Sequence, residues 1–221
     1  MNAKPYPLVC FDVDGTLVGK TTFVWETLHD RLGTDRDKRQ QGWDDYFAGE
    51  IPYSAWFESD IALFREQGPV TRGKLLAAID GLRLIDGVHD VLETLKGAGL
   101  RLAVVSGSLN IVLEKFDLMG YFDDIFINEL FFDRPGKLIG WRPTPFDVEN
   151  KSGALDWLVA KYDLDLAQTA FVGDNFNDVS IARRAGLGIA FNSTCDELIG
   201  CTAVHEPGND LRAILPHLID L

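Results

Sequence analysis

Two carboxylates stand two positions apart in the stretch FDVDGT (11–16), where Asp12 and Asp14 follow the apolar run LVC and precede a glycine, with no basic residue beside them. Like charges packed at the end of a buried strand are costly unless a cation compensates them. The pattern recurs far along the chain in GDNFND (173–178), where Asp174 closes the run TAFVG and Asp178 follows four residues later. A cluster of Asp12, Asp14, Asp174 and Asp178 therefore predicts a bound metal, and an oxygen-only donor set points to Mg²⁺ or a similar hard cation. Mg²⁺ binds through one or two carboxylates and completes its shell with water and substrate phosphate, so the chemistry expected here is phosphoryl transfer.

The elements that must position these groups alternate. Short apolar runs at PLVCFDV (7–13), LRLAVVS (100–106), TAFVGD (169–174) and LGIAFN (187–192) suit strands buried on both faces. Between them lie helical patterns: VHDVLETLKGAG carries Val88, Val91, Leu92 and Leu95 on one stripe with Gly97 near its end, and NIVLEKFDLMG ends similarly. This order predicts an α/β fold, a Rossmann-like doubly wound parallel sheet with helices on both faces. In such sheets ligands bind beyond the carboxyl ends of the strands, where Asp12, Asp14, Ser106 and Asp174 all fall.

The alternation fails over residues 18–84, where four helical segments follow one another without a convincing strand. Val24, Leu28 and Leu32 form a stripe in the first, Phe57, Ile61 and Phe64 in the third, and Leu75, Leu76 and Ile79 in the fourth, while the second is charge-rich. The expected organisation is a catalytic core of residues 1–17 and 85–221 with a helical cap, 18–84, inserted after the first strand. The cap aromatics Trp25, Trp43, Tyr46, Trp56 and Phe57 read as cap core. A hairpin is expected over 128–143, with Pro135 and Gly136 at the centre of a type II turn.

Composition narrows the partners. The 221 residues carry a formal charge of −13, which repels nucleic acid and anionic membranes and obliges any phosphate site to supply local positive charge. Cys10, Cys195 and Cys201 have neither zinc spacing nor a disulfide framework, Cys10 reading as an inert buried thiol. His29, His89, His205 and His217 are scattered and suggest no metal constellation. No run approaches the ~20 apolar residues of a membrane helix, and MNAKPYPLVC lacks a secretory core, so a cytoplasmic setting is expected. Nothing in the sequence specifies an oligomeric state.

DVDGT, VVSGS, the lysine opening KSGALDWL, and GDNFND together resemble, in order and spacing, the four motifs of the haloacid dehalogenase superfamily. The helical insert after the first motif and the hairpin after the second resemble the phosphoserine phosphatase-like branch. The resemblance implies a Mg²⁺-dependent phosphomonoester hydrolase acting on a small phosphorylated metabolite. It gives Asp12 as nucleophile, forming an aspartyl-phosphate, and Asp14 as the group that protonates the leaving oxygen and then deprotonates water. Mg²⁺ would be held by the Asp12 and Asp174 carboxylates and the Asp14 backbone carbonyl, with Asn177 and Asp178 orienting the metal shell. Ser106 and the N–H groups of Gly107 and Ser108 would hold phosphate oxygens, and Lys151 would offset charge. Taken singly, Asp178 and Ser106 also read as helix caps, and Lys151 as a solvated helix residue.

In that branch a glutamate soon after the first motif and an arginine in the cap grip an amino-acid substrate. Here LVGKTTFVW places Thr21 near the first position and WFESDIALF carries no basic residue, which argues against phosphoserine. A phosphotransferase or mutase using the same intermediate, and a catalytically silent phosphometabolite-binding protein, are the other readings; a dehalogenase is disfavoured by Asp14.

Overall fold

A computed structural model describes residues 5–220; the first four residues of the stretch read above for a leader, and Leu221, lie outside it. The strands are β1 (Leu8–Phe11), β2 (Val18–Gly19), β3 (Arg83–Leu84), β4 (Arg101–Leu109), β5 (Asp124–Phe132), β6 (Leu138–Arg142), β7 (Thr169–Gly173), β8 (Leu187–Phe191) and β9 (Val204–Glu206). Seven form one sheet in the order β6-β5-β4-β1-β7-β8-β9, parallel throughout except for β6, which runs antiparallel to β5. The doubly wound parallel sheet expected from the sequence is present, with β1 at its centre.

The reason lies in the alternation within each run. Val9 and Phe11 face one layer, joining Val88, Val91, Leu92 and Leu95 of α5 (Val88–Gly97), while Leu8 and Cys10 face the other. There they meet Ala154, Leu155 and Leu158 of α7 (Gly153–Tyr162) and Ile181 and Ala182 of α8 (Val179–Arg184). Burying each large side chain contributes about 1.5–3 kcal/mol, so both faces of β1 hold the register.

Four helices occupy the segment between β2 and β3: α1 (Val24–Leu32), α2 (Arg36–Phe47), α3 (Tyr53–Glu66) and α4 (Arg72–Ala78). Val24, Leu28, Phe57, Ile61, Phe64, Leu75 and Ile79 from α1, α3 and the end of α4 join the same buried cluster as Val9 and Phe11. The charge-rich α2 stands outside, against α3; Asp35 caps it by accepting from the N–H groups of Asp37 and Lys38. Contrary to the sequence reading, this segment has strands: β2 and β3 pair antiparallel, Val18 with Leu84 and Gly19 with Arg83. Two residues each are too few to leave a periodic signal.

Three further differences are local. The helix α6 (Asn110–Lys115) stops well before Gly120, because Asp117 turns left-handed at φ 55°. The hairpin is present, but its first strand starts at Asp124, and its turn lies one residue earlier than expected: the Gly136 N–H donates to Asp133 O, and Gly136, at φ 92°, takes the left-handed position after it. β9 follows α9 (Asp196–Cys201) and closes the sheet edge before the short C-terminal α10 (Leu215–Leu218). No described helix is long and apolar enough to cross a membrane.

Candidate active site

The carboxyl ends of β1, β4 and β7 meet under α1 and α3. Asp12 follows β1 directly, and its N–H donates to Val172 O of β7 at 3.0 Å, which ties the first acidic residue to the strand that presents Asp174. Gly15, at φ 79°, lets the loop pass beneath Asp174: a Cβ there would sit 2.1 Å from that carboxylate. The next residue, Thr16, donates its hydroxyl to Asp174 Oδ1 at 3.0 Å.

Asp12, Asp174 and Asp178 each offer a carboxylate oxygen within 4.8 Å of the others. Burial pushes the Asp174 carboxyl well above the ordinary carboxylate range, and repulsion from Asp178 and Asp12 adds to it. The Asp12 carboxyl is likewise raised by burial, against the pull of Lys151. Buried carboxylates gathered this closely favour a cation among them. The donor set fits Mg²⁺: hard oxygens only, with the buried Asn177 Oδ1 having no partner among the described residues.

Lys151 lies just before α7, fully buried, where its Nζ donates to Asp12 Oδ1 at 2.7 Å and to Asp178 Oδ1 at 2.6 Å. Burial alone would favour the neutral amine, but Asp12, Asp178 and Asp147 outweigh it and hold the ammonium charged. The solvated role that Lys151 suggested in isolation is not what the fold uses. Asp178 Oδ2 accepts the N–H groups of Asp174 at 2.8 Å and Asn175 at 3.0 Å, so this fully buried residue shapes the turn and presents a carboxylate to the cluster at once.

Asp14 points elsewhere. Its oxygens accept the Val24 N–H of α1 at 2.6 Å and the Ser108 hydroxyl at 2.8 Å, outside the three-carboxylate group. Burial raises its carboxyl to about 6, against those hydrogen bonds. A group with that proton affinity exchanges a proton readily near neutrality.

Ser106 does not end its strand. β4 continues to Leu109 with a register shift between Val105 and Leu109, and the irregularity turns Ser106, Gly107 and Ser108 into the cleft. The Ser108 N–H donates to Ser106 Oγ at 3.1 Å, and Gly107 O accepts from Trp25 Nε1 at 2.9 Å and Asn128 Nδ2 at 2.7 Å. Gly107 is needed because a Cβ would meet Asp147 Oδ2 at 2.3 Å.

Residues that the sequence reading placed in the cap core, Trp25, Trp43, Trp56 and Phe57, line the cleft together with Asp12 and Asp14. They also pack on one another, Trp25 edge-on to Phe57 at 5.0 Å and Trp43 edge-on to Trp56 at 5.4 Å, so both roles hold; Tyr46 stacks on Trp56 from behind. Three charged lining residues went unrecognised: Arg39, Asp60 and Asp147. Arg39 precedes Trp43 by one helical turn on α2, a spacing that marks a shared face once the helix is known. The carboxyl of Asp147 is raised by burial and opposed by Lys151, Tyr53 and Asn177. Thr21 bonds Thr27 at 2.8 Å and is not among the residues lining the cleft.

An open α/β sheet whose strand ends gather buried aspartates around one lysine is an arrangement suited to phosphoryl chemistry. The chain belongs to the haloacid dehalogenase-like hydrolases, whose family model matches residues 6–186. It is 29% identical over 189 residues to a phosphoserine phosphatase of Methanocaldococcus jannaschii, spanning 85% of this chain and 86% of that one. It is 30% identical over 227 residues to the probable phosphatase IndB of Dickeya dadantii, spanning 96% and 88%. A solved phospho-aspartyl intermediate analogue of phosphoserine phosphatase superposes with a TM-score of 0.73 at 25% identity, covering 98% of this chain and all of that one.

Proposed function

We propose that this phosphatase hydrolyses a small phosphomonoester with Mg²⁺, through a phosphoryl group carried on Asp12. The observation that carries the reading is the Lys151 bridge: Nζ fixes Asp12 Oδ1 at 2.7 Å, which leaves Oδ2 to attack. As the Asp12 Oδ2–P bond forms, the ester P–O bond breaks and Asp14 gives its proton to the departing alkoxide. Water then attacks the aspartyl-phosphate, Asp14 takes up a proton from it, and the Asp12–P bond breaks to release inorganic phosphate. The value near 6 at Asp14 suits both directions of that exchange. Ser106 with the backbone of Gly107 and Ser108 would cradle phosphate oxygens, and Lys151 would neutralise charge on the nucleophile and phosphoryl group.

Asp12 and Asp174, supported by Asp178 and Asn177, would hold Mg²⁺. When bound, the ion supplies charge neutralisation for the phosphoryl group. Residues 18–84 act as the cap, excluding bulk water and opening for exchange. A cytoplasmic setting accords with three free thiols. Asp12→Asn tests the proposal: turnover of a generic aryl phosphate with Mg²⁺ should fall on the order of 10³-fold or more. Retained turnover would remove Asp12 as the nucleophile.

Phosphoserine itself is a second reading, favoured by the name of the archaeal relative and by Arg39 in the cleft. Against it stand Thr21, turned to Thr27, and Asp60 in the α3 stretch WFESDIALF, which has no basic residue where the phosphoserine phosphatase-like branch carries its arginine.

A further inference from the structure

Asp60 is 5% exposed, yet it lines the cleft that holds Asp12 and Asp14. Its nearest basic neighbour is His29, whose Nε2 lies 3.0 Å from Oδ1 but too far off axis for a directed hydrogen bond. Among the described residues the buried Oδ1 of Asp60 accepts no directed hydrogen bond, and a buried carboxylate oxygen left so is costly unless a positive group lies near it. On the other side, Nδ1 of His29 meets the Thr34 hydroxyl at 2.7 Å, which fixes the ring in place. Asp60 is thus a buried carboxyl, fixed beside His29, that faces the cleft.

The walls around it are aromatic. Phe57 lies one turn before Asp60 on the same face of α3, and Trp25, Trp43 and Trp56 line the same cleft, with Phe23, Tyr53 and Phe176. Aromatic faces beside a carboxylate, screened from water, attract an organic cation; quaternary ammonium groups are held in this way. Trp25 relates this subsite to the reacting end: its Nε1 reaches Gly107 O at 2.9 Å, while its ring meets Phe57 at 5.0 Å and stacks on Phe64 at 6.0 Å. One indole therefore spans from the phosphate loop to the neighbourhood of Asp60, room for a short alkyl linker between phosphate and cation.

We propose that the cleft selects phosphomonoesters of amino alcohols, with Asp60 as counter-ion and Trp25, Trp43, Trp56 and Phe57 as walls for an alkylammonium head that carries no carboxylate. The inference rests on the phosphatase reading above. A substrate carboxylate would meet Asp60 and Asp147, leaving Arg39, already drawn to Glu26 at 3.8 Å, as its sole favourable neighbour among the charged lining residues other than the catalytic set.

The unaltered protein with Mg²⁺ decides the matter, assayed on choline phosphate, ethanolamine phosphate, phosphoserine, the neutral isostere 3,3-dimethylbutyl phosphate and an aryl phosphate. Either ammonium ester should exceed both the isostere and phosphoserine in kcat/KM by about tenfold or more, and the ranking of the two ammonium esters reports how far the rings favour methylation. Asp60→Asn should bring the ratio of choline ester to isostere towards one; Trp43→Leu, which leaves the His29 contact intact, should lower the same ratio. Tetramethylammonium should compete with aryl phosphate hydrolysis where neopentyl alcohol does not. Equal turnover of ester and isostere, or a preference for phosphoserine, overturns the inference while aryl phosphate turnover keeps the phosphatase reading standing. Absence of aryl phosphate turnover overturns both.

Discussion

Lys151 is the residue on which the acidic cluster depends. It bridges Asp12 and Asp178 from a fully buried position, and removing one partner from such an arrangement typically costs about 3–5 kcal/mol because the remaining charges stay buried. Lys151→Met should therefore lower the melting temperature of the metal-free protein and reduce turnover on the order of 10²-fold or more. Mg²⁺ should restore part of the stability but little of the turnover. Thermal melts with and without the ion check the first expectation and aryl phosphate kinetics the second; unchanged melting would mean that the lysine is not the cluster's counter-charge.

At the scale of elements, the irregular end of β4 does what a straight strand could not. The register shift after Val105 lets three consecutive residues address the cleft, and Gly107 passes under Asp147 with no room for a methyl group. Gly107→Ala should displace the loop and lower kcat/KM by about 10²-fold, since misplacements near 1 Å are that costly. Combining it with Asp147→Ala should recover part of the loss, because the atom that the new methyl strikes is gone. A double-mutant cycle on kcat/KM reads the coupling, and strictly additive effects would exclude the steric explanation. Strand ends of this kind were legible: LVCF and TAFVG are buried on both faces, so their continuous apolar character announced where Asp12 and Asp174 would emerge. The register shift was not legible, because Ser-Gly-Ser carries no period. Asp60 and Arg39 were hidden for another reason: each sits at an ordinary helical position, and only the packing of α3 on the core and of α2 on α3 turns it to the cleft. β2, β3 and β9 are two or three residues long, below what alternation can reveal.

For the whole molecule, electrostatics couples folding to the ion. Burial and mutual repulsion raise the carboxyls of Asp12 and Asp174 from the ordinary value near 3.8. A group raised on folding binds protons more tightly in the folded state. Its contribution to stability is complete below that ordinary value and is lost as pH rises through the folded one. On the proposed function Mg²⁺ would take the place of those protons, so its stabilisation should grow with pH. Saturating Mg²⁺ should raise the melting temperature by about 5–10 °C at pH 8 and distinctly less at pH 5.5. Equal shifts at the two pH values would separate the ion from these carboxylates. The surplus of acidic residues, 34 against 21 basic, adds a long-range attraction for the cation that salt should weaken.

The neck formed by β2 and β3 brings the chain into and out of the four-helix insert at one point, Val18 beside Leu84. Lengthening, shortening or exchanging what lies beyond that neck leaves the order and pairing of the seven sheet strands untouched. Descent with modification can therefore revise what the insert admits while the aspartates at the strand ends stay where they are, and the diversity of such proteins should be sought in their inserts before their sheets.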